Sequence, residues 1–96
     1  MQKSKPWFVY MLECQDGSIY TGIAVDVLAR FAQHCQGKGA RYTRSHPPKA
    51  IILMIEYPNR SLAAKAEYVF KGLSAQQKKQ LTLSSQHPLP LFEQLA

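Results

Sequence analysis

The Asp16-Gly17 pair constrains this chain most, because it separates two runs rich in aromatic and branched residues, Trp7–Cys14 and Ser18–Ile23. Such side chains suit a pleated, half-buried surface, so both runs read as strands. Gly17 can take the positive φ that a tight reversal needs. Loop length then decides which side chains meet. A two-residue turn would pair Cys14 with Ile19 and put Tyr10 and Tyr20 on opposite faces. A three-residue loop, Gln15-Asp16-Gly17, with Gly17 left-handed in a bulge, pairs Cys14 with Ser18 instead. Tyr10 then faces Gly22, Leu12 faces Tyr20, and both phenols share one face. The second register is favoured here, since one slip separates the two tyrosines. Gly22, with no side chain, leaves an open slot beside Tyr10.

After the hairpin, Asp26 is placed to cap a helix running to about Gln36, with Gly37 ending it. Leu28, Phe31, Ala32 and Cys35 recur at helical spacing and read as its buried stripe. Arg30 and His34 lie one turn apart on a neighbouring face. Alone, each reads as a solvated or half-buried side chain. Their helix must pack on the hairpin it follows, which brings their face towards the tyrosine edge.

From Val27 to Ile55 there is no carboxylate, in a chain of formal net charge +6. Residues 37–49, GKGARYTRSHPPK, read as one long loop carrying Lys38, Arg41, Arg44 and Lys49 around Tyr42. Basic side chains interleaved with an aromatic suit a phosphate backbone and a stacked base, though a solvated basic loop has the same composition. The nucleotide-binding P-loop pattern is absent. Net charge alone does not choose between nucleic acid and a membrane surface.

Residues 50–57 are almost continuously apolar and read as a central strand covered on both faces. Asn59 or Ser61 starts a second helix to about Lys71, with Leu62, Ala66, Val69 and Leu73 as its core stripe. Glu67 lies beside that stripe. It reads either as a solvated carboxylate paired with Lys71, or as a ligand for a hard divalent cation. The remaining acids, Glu13, Asp16, Asp26, Glu56 and Glu93, fit turn, cap and surface roles. Ser74 caps a short third helix, residues 75–81. The tail carries Leu89, Leu91, Phe92 and Leu95, suited to docking on the domain or to a partner contact.

The 96 residues make one domain, with a core of about 7–83 and a tail of 84–96. Cys14 and Cys35 read as buried free thiols. No apolar run is long enough to span a bilayer and no cleavage pattern opens the chain, so the expectation is a cytoplasmic protein that does not engage a membrane.

Val9-Tyr10, then Tyr20-Thr21-Gly22, then a helix with Arg30 and His34, then a helix with Glu67, resembles the GIY-YIG nuclease superfamily. DGSIYTG, GKGARYTR and the Glu67 helix are similar to its small stand-alone bacterial, YhbQ-like branch. The resemblance implies an α/β (α+β) domain of order β-β-α-β-α: a small, mainly antiparallel three-stranded sheet flanked by helices, with the third strand at its centre. It also implies metal-dependent endonuclease activity on nucleic acid, DNA ahead of RNA. Glu67 would hold one Mg²⁺ or Mn²⁺, Tyr10 would take the proton from the attacking water, and His34 would accept or relay it. Arg30 would stabilise the phosphate charge, and Tyr20 would orient water or phosphate. Tyr10 then needs nearby cations to stabilise its phenolate. The alternative is a nucleic-acid-binding module that cleaves little or nothing. It is favoured by the lack of an asparagine after Glu67, where several family members carry one. A third reading is a protein adaptor that uses the apolar tail.

Overall fold

The hairpin closes through three residues. In the computed structural model, which describes residues 5–84, the Cys14 N–H donates to Ser18 O at 2.8 Å and the Gly17 N–H donates to Cys14 O at 2.9 Å. Gly17 sits at φ +85°, in the left-handed region that glycine takes without a Cβ penalty. Strands β1 (Trp7–Cys14) and β2 (Ile19–Ala24) therefore pair antiparallel with Tyr10 opposite Gly22 and Leu12 opposite Tyr20. The favoured register is the observed one.

Helix α1 (Val27–Cys35) follows, capped by the Asp26 carboxylate, which accepts from the Ala29 N–H at 3.0 Å. The stretch read as one loop contains a short helix, α2 (Arg41–Ser45), because Thr43 braces Ala40 through local side-chain to backbone hydrogen bonds. Strand β3 (Pro48–Tyr57) starts earlier than expected. Pro48 opens it opposite Cys14, where a strand tolerates a missing N–H. Helix α3 (Arg60–Lys71) is capped by Asn59, and α4 (Ala75–Ser84) by Ser74, which accepts from the Gln77 N–H at 3.1 Å.

The sheet order is β2-β1-β3, all antiparallel. β1, not β3, is therefore central. Val9, Tyr10, Met11 and Leu12 are buried in succession, whereas Leu53 to Tyr57 alternate buried and exposed, as an edge strand with one covered face does. β1 concealed its place because its buried run includes a tyrosine. Register shifts between Met11/Leu12 and between Glu13/Cys14 insert extra residues into β3.

Each sheet face carries its own apolar layer. Val9, Met11, Ile55 and Tyr57 pack against α3 through Ala63, Ala66 and Phe70. Tyr10, Leu12 and Ala24 pack with Val27 and Phe31 of α1. Both helices present a different stripe from the expected one. In α1 the buried residues are Val27 and His34, while Leu28 is 70% exposed and Cys35 is exposed; only Cys14 is a buried thiol. In α3 they are Ala63, Ala66 and Phe70, leaving Leu62 and Val69 partly in solvent. The small alanines let α3 approach a sheet face already filled by large side chains. The apolar tail falls outside the described residues.

This orientation of α1 has a measurable consequence. Leu12→Ala, at a fully buried position, should cost about 2–5 kcal/mol of unfolding free energy. Leu28→Ala should change it by less than about 0.5 kcal/mol. Urea unfolding of both variants checks this, and equal losses would contradict the rotation.

Candidate active site

The hairpin register puts Tyr10 and Tyr20 on the α1 face, with ring centroids 6.3 Å apart. The slot expected at Gly22 is filled by Tyr10 itself. A Cβ there would lie 2.7 Å from Tyr10 Oη and 3.0 Å from Tyr20 Cε2. Glycine is thus required at this position for the phenol to stand where it does.

Across this face, α1 lowers His34 into the protein, where it is 1% exposed. Its Nε2 lies 2.8 Å from Tyr10 Oη. On the other side of the ring, Nδ1 lies 2.7 Å from Thr43 Oγ1, and Thr43 donates to Ala40 O at 3.0 Å. Gly39 backs the imidazole: a Cβ there would lie 2.8 Å from both His34 Cγ and Cε1 and closer still to Nδ1. Arg30, one turn before His34, donates to Gln33 Oε1 at 2.8 Å.

Aromatic contacts extend the site outward. Tyr20 lies 5.0 Å from the His34 ring and stacks on Tyr42 at 5.9 Å, and Tyr42 stacks on His46 at 4.2 Å. His46 meets the Asp16 carboxylate at 2.5 Å. The Ser18 hydroxyl and then His46 hold that carboxyl below the usual range. The turn that sets the hairpin register is thereby tied to the segment that supplies Tyr42 and Thr43.

The resting electrostatics oppose an ionised phenol. Burial first, then Tyr20, pushes Tyr10 up to about 12; Arg30 pulls against this, and Glu67 adds to it. Burial, followed by the Arg30 charge, pushes the His34 imidazole down. Neutral Tyr10 and neutral His34 are therefore the resting pair, and Arg30 is close enough to act on both. The cations expected to lower Tyr10 do not outweigh its burial.

Glu67 comes from α3, which packs on the opposite face of the sheet, and lies half-buried beside the buried Ala63, Ala66 and Phe70. Its side chain is 22% exposed and its Oε2 meets Lys71 Nζ at 3.3 Å, so the pairing with Lys71 is present. Its charge is nonetheless felt at Tyr10. No group of three or more His, Cys, Asp or Glu that could hold a metal occurs among the described residues. A lone carboxylate fits a hard cation that keeps water and phosphate oxygens as its other ligands. It does not fit a zinc centre.

Lys38, Arg41, Arg44 and Lys49 are all exposed. Tyr42 is 38% exposed, with its ring engaged by Tyr20 and His46. The sequence reading missed Thr43 and Gly39. A threonine nine residues from a histidine carries no periodic signal, and only the α1–α2 turn brings them together.

A family model described as the GIY-YIG catalytic domain matches residues 6–80. The chain belongs to the GIY-YIG family. Within it, the similarity is to the small bacterial UPF0213 proteins. One from Cupriavidus pinatubonensis is 50% identical over 78 residues, 81% of this chain and 87% of the relative. The solution NMR structure of UPF0213 protein BH0048 from Bacillus halodurans aligns with a TM-score of 0.54 at 40% identity, covering 88% of this chain and 89% of that one. That of protein EF2693 from E. faecalis gives 0.58 at 38% identity, covering 88% and 90%. The three-stranded antiparallel sheet with flanking helices is the fold of these relatives. The GIY-YIG catalytic domain suggests a nuclease-like function. No helix among the described residues is long and apolar enough to cross a membrane.

The buried GIY-YIG histidine gives the fold a pH dependence of definite sign. His34 has a folded value below its ordinary 6.5, so folding favours the neutral ring. That stability is complete above 6.5 and is lost as pH falls through the folded value. Urea midpoints followed down in pH from 6.5 should fall for the wild type and fall less steeply for His34→Gln. Equal slopes would remove His34 as the source.

Proposed function

We propose that the protein hydrolyses phosphodiester bonds in nucleic acid, DNA ahead of RNA, as a metal-dependent endonuclease. The 2.8 Å contact between Tyr10 Oη and His34 Nε2 carries this reading, because it joins a phenol to a neutral imidazole beside Arg30. An attacking water placed at Tyr10 gives its proton to Oη as the Tyr10 proton moves to His34 Nε2. The imidazole is thus the final base, and the phenol never has to ionise alone. This answers the objection that a phenol near 12 is a poor base at neutral pH. Arg30 binds the phosphate oxygens on which charge builds. Tyr20, beside both rings, orients water or phosphate. Glu67 would hold one Mg²⁺ or Mn²⁺. When bound, that ion supplies charge neutralisation at a phosphate oxygen and at the leaving oxygen. Lys38, Arg41, Arg44 and Lys49 hold the strand by phosphate contacts, and Tyr42 supports the site by stacking on Tyr20.

A second reading, a binding module that cleaves little, is favoured by the resting Tyr10, whose proton is held more tightly than in a free phenol. The two readings separate in one assay, run with labelled single-stranded, duplex and branched DNA and with RNA, in Mg²⁺, Mn²⁺ or EDTA. Metal-dependent cleavage is expected, reduced by roughly 100- to 10,000-fold in Tyr10→Phe and abolished in Glu67→Ala, with both variants folded. Binding that is equal in wild type and Glu67→Ala, with no cleavage by either, would establish the module instead.

A further inference from the structure

We propose that Thr43 is a positioning residue that fixes the tautomer of His34, keeping the proton on Nδ1 and leaving Nε2 bare towards Tyr10. The inference rests on the nuclease reading only for its catalytic consequence. Its structural half stands on the hydrogen-bond geometry at the two ends of the ring.

At the inner end, Thr43 Oγ1 has one proton to give and two neighbours that accept, Ala40 O at 3.0 Å and His34 Nδ1 at 2.7 Å. The Ala40 N–H donates back to the same oxygen at 3.4 Å. The hydroxyl closes a local ring on Ala40 by donating to its carbonyl. It then meets Nδ1 as an acceptor, so Nδ1 carries the hydrogen. At the outer end the same polarity follows independently. Tyr10 is 1% exposed, and among the described residues its side-chain hydrogen bond is to the imidazole. The phenol's own proton then needs an acceptor, and Nε2 lies 2.8 Å away. A hydrogen on Nε2 would leave the buried phenol O–H without that acceptor. The neutral ring has one hydrogen to place, and both ends put it on Nδ1.

Two further features serve this arrangement. Thr43 is 2% exposed, so water does not substitute for its hydroxyl. Gly39 lets the backbone lie against the imidazole, where any Cβ would displace it. The segment 39–43 thus clamps the ring by contact and orients it by hydrogen bond. For hydrolysis the consequence is direct. A bare Nε2 accepts the Tyr10 proton and the imidazolium remains held at Nδ1, whereas the other tautomer offers Tyr10 no acceptor.

Long-range proton–nitrogen NMR correlations of the imidazole test this without any reaction. Wild type and Thr43→Ser should show a protonated Nδ1 and a bare Nε2, and Thr43→Val should move the proton to Nε2 or give a mixture. In the cleavage assay, Thr43→Val should lower kcat by roughly 10–100-fold with KM little changed, and Thr43→Ser should restore it. A wild-type ring protonated at Nε2 overturns the proposal even if the valine variant fails to fold. So does a folded Thr43→Val with the wild-type tautomer. A wild type with the expected tautomer that cleaves nothing would overturn the nuclease reading and leave the assignment to Thr43 standing.

Discussion

The reversal at Gly17 determines which side chains can meet. Three loop residues, one of them left-handed, set the pairing of β1 with β2, and strand period makes any such setting all or none. With Tyr10 opposite Gly22, both phenols share the face covered by α1, and Gly22 leaves the space that the Tyr10 hydroxyl enters. A slip of one residue would turn Tyr20 to the opposite face of the sheet, away from Tyr10 and His34. The Asp16–His46 pair locks the same turn to the segment carrying Thr43.

From that constraint the site follows as a chain of satisfied polar groups in a buried place. Tyr10, His34, Thr43 and Ala40 form one hydrogen-bonded line, and the side chains of the first three are buried. A buried polar group left unpaired is costly, so the line explains how α1 can turn a histidine inward and leave Leu28 outside. It also explains the resting charge state. Burial holds Tyr10 protonated and His34 neutral, with Arg30 acting on both. That charge state suits the proposed transfer of a proton along the line better than the storage of a phenolate.

Much of this was legible from the chain. The strands, the helix caps at Asp26 and Ser74, Asn59 as one of two candidate caps with Ser61, and the hairpin register all rest on local chemistry: turn stereochemistry, capping and strand period. The helix faces were not legible. Apolar spacing selected Leu28 with Cys35, and Leu62 with Val69, where the structure buries Val27 with His34, and Ala63 with Phe70. Counting apolar residues misses a histidine that is welcome inside because a phenol meets it, and alanines chosen because a crowded sheet needs thin neighbours.

The sequence by itself determined the hairpin and its register, because a turn and a strand act through neighbours a few bonds away. It also determined which residue types stand near the tyrosines, since a helix that follows a hairpin by two residues has little choice of face to cover. Only the tertiary structure decided that β1 is central and that Thr43 and Gly39 close on the His34 ring. Those outcomes depend on which surfaces cover one another and on how buried polar atoms are paired. Both are settled by packing between elements rather than within one.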